Sequence, residues 1–319
     1  MAGKRSTANF ISYDLRPTKQ CERKILIEIL KIAGDNGLPI RDYRYIGMGA
    51  NRFYDFLLVH KYLGLSKMIS LEHDKKMFKR ASFNVPYGFI DVQRKTSSTF
   101  IAADSFSTPS IVWLDYDGGI NGNVIEDIAS LGTKSSLGDF CFVTLYGDPP
   151  GVLHDYSTQK RLDWYKDELG DVSSEVTLSD VENASFYRSI HKTLVSAFRN
   201  AFAYRKDGEF VLLMGVQYSD STPMITVGGA FLKTVQKPNL VSKVAQSLPF
   251  LQKGGSDPYE IKSFHLTEKE KNLFDRAITS GYHRSQDAIK LIELGFKEED
   301  FEAYRDLFRF IPRYVEAII

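Results

Sequence analysis

YIGMGANRFYDFLLVHKYLGLSKMISLEHD, residues 45–74, decides the fold. Tyr45-Ile46 ends a short apolar run. Gly47 and Gly49 follow, residues that tolerate backbone angles a Cβ forbids and let a ligand approach the main chain. Phe53, Phe56, Leu57, Val59 and Leu63 then form one helical face, and Gly64 suits the left-handed position after a last helical turn. Met68–Leu71 is a second strand, and Glu72 stands at its carboxyl end. In open α/β sheets, ligands bind outside the carboxyl ends of the strands. An acid there can accept both hydroxyls of a ribose, and bare backbone after the first strand can carry a nucleoside. Gly47, Gly49 and Glu72 are therefore candidate contacts for a nucleoside-type cofactor. The alternative is a glycine turn with a structural role alone.

The alternation continues downstream. Lys75–Ser82 reads as a short helix and Phe89–Val92 as a third strand, closed by Thr96-Ser97-Ser98-Thr99. Ser110–Leu114 and Phe140–Leu145 are unbroken apolar runs of the kind found in buried parallel strands, with Val124–Leu131 as a crossover helix between them. The first run ends in Asp115-Tyr116-Asp117-Gly118-Gly119, the second in Tyr146-Gly147-Asp148-Pro149-Pro150-Gly151. Ser185–Tyr204 is a strong helix, with Phe186, Ile190, Leu194, Phe198 and Phe202 every four residues. Phe210–Tyr218 and Met224–Phe231 read as a hairpin. Residues 152–182 are polar with weak periodicity and read as an insertion, a candidate lid.

The dinucleotide fingerprint needs a third Gly or Ala three residues after the second, where this chain has Arg52. The stretch instead resembles motif I of class I S-adenosylmethionine (SAM) dependent methyltransferases, an acid-x-G-x-G-x-G. Tyr45 replaces the first acid and Asn51 the third glycine. The terminal hairpin is similar to the same family, and the resemblance covers about residues 43–232. It implies an α/β fold with a doubly wound, mostly parallel seven-stranded sheet and an antiparallel terminal hairpin. It implies SAM across Gly47, Gly49 and Asn51, with Glu72 on the ribose. It also places Ser97 or Ser98 beside the adenine, unless these serines cap a helix over Thr99–Asp104. In the family the missing first acid helps hold the methionine end of SAM. Two other readings therefore stay open: a SAM- or nucleoside-binding partner subunit that has lost catalysis, and a nucleic-acid or protein methyltransferase with the basic N-terminus and Lys233–Lys253 contacting the polymer.

Asp115, Asp117 and Asp148 fall at the carboxyl ends of adjacent central strands and are the candidate catalytic residues. Methyl transfer is an in-line displacement, so an enzyme must orient the acceptor and handle its proton. Asp115 suits that role and borders the cofactor as well. The D-x-D also resembles the arrangement of metal-dependent O-methyltransferases, where hard oxygen ligands would suit Mg²⁺; the second Asp-Asn pair of that pattern is absent. Asp148-Pro149-Pro150 is a weak match to the D-P-P-Y motif of amino-methyltransferases, because it follows the wrong strand and ends in Gly151. O-methyl transfer to an unidentified acceptor is the favoured activity.

Composition narrows the rest. The 319 residues carry a net charge of +1, which gives no global nucleic-acid or membrane signature, and 43% hydrophobic residues promise a sizeable core. No apolar run reaches the ~18–20 residues of a membrane span. Residues 1–10 lack a signal-peptide core. Cys21 and Cys141 lie far apart, Cys141 within an apolar run, so a free buried thiol and a cytoplasmic setting are expected. Residues 1–42 form a basic arm and a helix over Thr18–Ala33; Arg16, Lys19, Arg23 and Lys24 near its start read as a solvated face or as contacts for an acidic substrate. Residues 233–258 read as a linker and 259–319 as a helical extension in which acids outnumber bases. That balance disfavours a nucleic-acid reader and favours a packing or homodimer cap. Its apolar residues Phe274, Ile278, Leu291, Leu294, Phe308 and Phe310 should dock on the main domain or on a second copy.

Overall fold

The computed structural model describes residues 16–253, 257–279 and 285–312. The basic arm 1–15, the glycine boundary 254–256 and the His283-Arg284 turn lie outside the described residues.

Five parallel strands, β1 (Arg44–Gly47), β2 (Lys67–Leu71), β3 (Ile90–Gln93), β4 (Ser110–Asp115) and β5 (Phe140–Tyr146), are followed by a long hairpin, β6 (Glu209–Ser219) and β7 (Pro223–Leu232). β7 inserts antiparallel between β5 and β6, giving the order β3-β2-β1-β4-β5-β7-β6. This is the doubly wound sheet with an antiparallel hairpin that the sequence implies, but among the described residues it has eight strands where seven were expected. β8 (Tyr259–Ile261) adds parallel to the outer edge of β6. Three residues are too few for an alternation pattern to reveal such a strand.

The chain winds outward from β1 in both directions, so β1 and β4 meet at the switch point where strand order reverses. One face of the sheet is covered by α1 (Pro17–Asp35), α2 (Tyr54–Leu63) and α8 (Lys237–Ser247), the other by α4 (Ser97–Ala103), α5 (Gly122–Lys134), α6 (Thr158–Leu169) and α7 (Phe186–Phe202). α3 (Lys75–Asn84) flanks the β2–β3 edge and buries only Ala81.

Two stretches set apart by the sequence reading are packed structure. The first is residues 152–182. Leu162, Tyr165 and Leu169 of α6, with Leu153, Val176 and Val181, are buried in the core beneath α7. The buried Arg161 stitches the segment together by donating to the carbonyls of Leu153, His154 and Val181. The spacing of these apolar residues is helical, but the polar residues between them mask it. The second lies within residues 233–253, where α8 buries Leu240 and Val244 against the α1 face.

The tail forms α9 (Glu268–Thr279), α10 (Gln286–Glu293) and α11 (Glu298–Leu307) around its own small core, with Leu273, Phe274, Leu291, Phe301 and Tyr304 buried together. Thr267 and Glu270 make the expected reciprocal cap of α9. Phe274 and Leu291 therefore belong to the tail itself. Leu307 and Phe310 join the main core, with the Phe310 ring 6.1 Å from that of Phe250. Leu294 and Phe308 stay exposed. Both cysteines are free and buried, and burial pushes each thiol up to about 12. Among the described residues no helix is long and apolar enough to cross a membrane.

Candidate active site

At the carboxyl ends of β1, β2 and β4 lies a cavity of about 1030 Å³. That is the upper end of the ~300–1,000 Å³ usual for ligand sites, room for a nucleoside cofactor and part of an acceptor. The loop after β1 forms one wall. Neither glycine there has positive φ; that backbone falls on Ala50 (φ 46°) and Phe53 (φ 53°) instead. The glycines answer to space. A Cβ on Gly47 would lie 2.9 Å from the Tyr45 hydroxyl, and one on Gly49 would lie 2.7 Å from the Phe53 ring and 2.9 Å from Ser70 Oγ. The buried Phe53 holds the loop down, and α2 starts at the next residue without a side-chain cap. Gly64 ends α2 in the left-handed conformation, as expected.

Glu72 is half-buried at the end of β2, and its Oε1 accepts from the Asp74 amide at 2.9 Å. Asp74 in turn caps α3 through the amides of Lys76 and Met77. Across the cavity, Thr96 caps α4, so Ser97 and Ser98 occupy the first helical turn and neither is the cap. The Tyr116 hydroxyl donates to the buried Asp127 at 2.5 Å and lies 3.3 Å from Ser97 Oγ, whose own proton it can accept. Burial and Asp127 together raise the Tyr116 phenol well above its ordinary pKa.

The first turns of α1 enter the site in a way the sequence does not suggest. Asp220, in the β6–β7 loop, accepts from the backbone amides of Thr18 and Lys19, both at 3.0 Å, and so caps the helix from across the sheet. Thr18, Lys19, Gln20, Cys21, Glu22 and Arg23 are all buried, and neither the solvated-face reading nor the substrate-contact reading fits Lys19. Its Nζ lies 2.9 Å from Asp115 Oδ2, 3.0 Å from Glu22 Oε2, 3.0 Å from the Tyr218 hydroxyl and 4.9 Å from the centre of the Trp113 ring. Burial works against the ammonium, but Asp115 and Glu22 outweigh it and raise its pKa well above the ordinary value. Glu22 also accepts from Thr144, Tyr218 and Thr226, while burial raises its carboxyl. One turn on, Arg23 pairs with Asp55 in the first turn of α2 and lies over the Tyr54 ring at 5.1 Å. Arg23 and Asp55 both line the cavity.

Of the candidate residues, Gly49, Glu72, Ser97, Ser98, Asp115 and Asp117 line the cavity. Gly47 and Asn51 lie behind its wall; in the amide orientation that satisfies both groups, Asn51 accepts from Arg80 at 3.1 and 3.2 Å. Asp115 and Asp117 also border an adjoining cleft of about 60 Å³, formed with Tyr146, Tyr218 and the β6–β7 loop. Asp117 accepts from Tyr146. Asp148 is exposed and borders neither space, because Gly147 bonds back to Pro223 and turns the chain away. The three aspartates therefore do not converge. Among the described residues no group of three or more His, Cys, Asp or Glu is placed to hold a metal ion. Sequence reasoning missed Asp55, Tyr116 and Asp127, and it read Arg23 only as a solvated charge or a contact for an acidic substrate; an acid in the first turn of α2 was the signal available for Asp55.

Several solved structures resemble the chain. Trm1 from Pyrococcus horikoshii, in complex with S-adenosyl-L-methionine, shares 12% identity over 75% of this chain and 61% of that one, with a TM-score of 0.46. The plantazolicin methyltransferase BpumL, in complex with S-adenosylhomocysteine (SAH), shares 9% over 70% and 93%, with a TM-score of 0.42. A SAM-dependent methyltransferase from Mesorhizobium loti shares 14% over 33% of this chain, with a TM-score of 0.27, and the match spans just 46% of that chain. No curated protein sequence matches. The family described as "Putative O-methyltransferase" matches residues 11–319. With the strand order and the cavity at its switch point, that match settles the kinship: the chain belongs to this O-methyltransferase family and has the class I SAM-dependent methyltransferase fold.

Proposed function

We propose that this chain transfers the methyl group of SAM to an oxygen acceptor. The adenosine lies against Gly49, with its ribose on Glu72 and its adenine beside Ser97 and Ser98. The methionine end points to Arg23 and Asp55. This pair stands in for the acid that Tyr45 replaces, Arg23 facing the carboxylate and Asp55 the ammonium. The observation that carries the reading is the place of Asp115. It sits at the switch point, borders both the large cavity and the small cleft, and is pinned by Lys19.

In the reaction, the acceptor oxygen attacks the methyl carbon in line with its bond to sulfur. The C–S electron pair returns to sulfur, leaving neutral SAH. Asp115 orients the acceptor hydroxyl and receives its proton as the new C–O bond forms. Lys19 keeps the Asp115 carboxylate from swinging and neutralises the charge it shares with Glu22. No step is routed through a divalent ion. The buried free thiols favour a reducing, cytoplasmic setting.

Calorimetry with SAH and methyl transfer from tritiated SAM to a panel of hydroxyl acceptors test this. Asp115→Asn should bind SAH nearly as wild type does but turn over at least ~100-fold more slowly. Absence of SAH binding by wild type would overturn the reading. Binding with no transfer to any acceptor would instead favour a partner subunit without catalysis.

A further inference from the structure

We infer that the outward face of α3 is a binding surface for single-stranded nucleic acid. Residues 75–95 hold six bases, Lys75, Lys76, Lys79, Arg80, Arg94 and Lys95, against one acid, Asp91. That is +5 within a chain whose total is +1, so the remainder is −4. The charge is not spread evenly as on an ordinary solvated surface; it is gathered on one short helix and the loop after β3.

Helical spacing orders these charges. Lys75, Lys79 and Phe83 follow one another at i, i+4, i+8, and Lys76 and Arg80 form the parallel row beside them. Lys75, Lys76, Lys79, Arg80 and Phe83 are all exposed, Phe83 at 88%. Tyr87, in the loop after α3, is 37% exposed, with its ring stacked on Phe89 at 5.0 Å and 4.9 Å from that of His60. The lone acid, Asp91, accepts from Gln93 at 2.6 Å. Asp74 is committed to capping the helix, and Glu72 points into the cavity. Bases to follow a phosphate backbone and an open ring, here Phe83, for a base to stack on are the two features of a surface for unpaired strands. A duplex would hide the base faces from Phe83. An acidic protein would use the charges but leave the aromatic without a role.

The surface also leads somewhere. Lys76, Arg80, Lys95 and Arg52 form the cavity wall on this side, so a strand bound along α3 runs to the cavity mouth. The docking surface is independent of the methyl-transfer reading. Together the two name the acceptor class as a nucleic-acid strand.

The test is fluorescence anisotropy of a fluorescein-labelled single-stranded RNA of mixed sequence with the full chain. It is run across a salt series, with calorimetric SAH binding measured in parallel. Lys75→Gln/Lys79→Gln/Arg94→Gln and Phe83→Ala alter residues outside the cavity, so SAH binding should stay at the wild-type level in both. The triple variant should weaken strand binding at least tenfold and flatten the plot of log K against log salt by about two units, at roughly 0.7 per phosphate contact. Phe83→Ala should weaken it about five- to a hundredfold, with the salt slope unchanged. Failure of wild type to bind the strand, or equal binding by the variants, would overturn the inference. So would displacement by polyglutamate of matched charge as efficient as displacement by unlabelled strand, which would assign the face to acidic proteins. Strand binding without SAH binding would overturn the methyl-transfer reading and leave this surface standing.

Discussion

Lys19 Nζ, at the start of α1, stands 2.9 Å from Asp115 Oδ2, at the end of β4, and one ammonium serves both that carboxylate and Glu22. The network is almost sealed, with Lys19 and Glu22 buried and the Asp115 side chain 18% exposed. Removing the cation leaves two acids facing each other in a poorly solvated site. Lys19→Met should therefore cost about 3–5 kcal/mol of stability, and Lys19→Met/Glu22→Gln distinctly less, because only one acid then remains. Urea unfolding of the three proteins checks this. A double variant no more stable than the single one would mean that Glu22 adds nothing to the strain.

Arg23 and Asp55 form an ion pair at the cavity wall, and the proposed function sets it against the zwitterionic end of the cofactor. Arg23→Met/Asp55→Asn should lower SAH affinity by about 1.5–3 kcal/mol, the worth of charged hydrogen bonds. Affinity for 5′-methylthioadenosine, which lacks the amino-acid end, should change by less than about 0.5 kcal/mol. Calorimetry with the two ligands separates a ligand contact from a general loss of structure, since the latter would weaken both alike.

Glu72→Ala should weaken both ligands, because both carry the ribose. The expected loss is again about 1.5–3 kcal/mol. Equal affinities in wild type and variant would move the ribose away from β2.

Asp139, fully buried between β4 and β5, accepts from the amides of Ser110 and Ser136, yet burial pushes its carboxyl from 3.8 up to about 6. The folded protein thus takes up this proton before the unfolded chain does. The resulting stability is complete below about pH 4 and is lost as pH rises through about 6. The stability difference between wild type and Asp139→Asn should shift toward wild type by about 1–3 kcal/mol as pH falls from 7 to 4. Unfolding curves at several pH values measure it; a constant difference would show that Asp139 does not titrate in this window.

What the sequence made legible was whatever local pattern decides. The apolar runs 110–114 and 140–145 became β4 and β5, and Gly64 ends α2 in the conformation glycine favours. Glu72 and Asp115 could be placed because a strand fixes which end its last residue occupies. Lys19 and Arg23 could not. Charges on a helix look solvated until their partners are known, and those partners are Asp115, Tyr218 and Asp55, up to 199 positions away. Gly47 and Gly49 were found for the wrong reason: the crowding of Tyr45 and Phe53, not an unusual backbone angle, excludes a side chain there. Tyr45 itself, fully buried and edge-on to Phe56 at 4.9 Å, turns the place of the family's acid into core.

The cap that Asp220 places on α1 has a consequence for how the protein comes into being. Its bonds to Thr18 and Lys19 span 202 and 201 positions of chain. At about 5–20 residues per second, a ribosome emits the helix some ten to forty seconds before the residue that caps it. During that interval the Lys19 and Arg23 charges have no sheet to bury them, and such distant pairings form late. The half-made protein therefore carries the glycine loop and Glu72 but not the finished network around Asp115. The Lys19–Asp115 contact has to wait until the β6–β7 hairpin closes over α1.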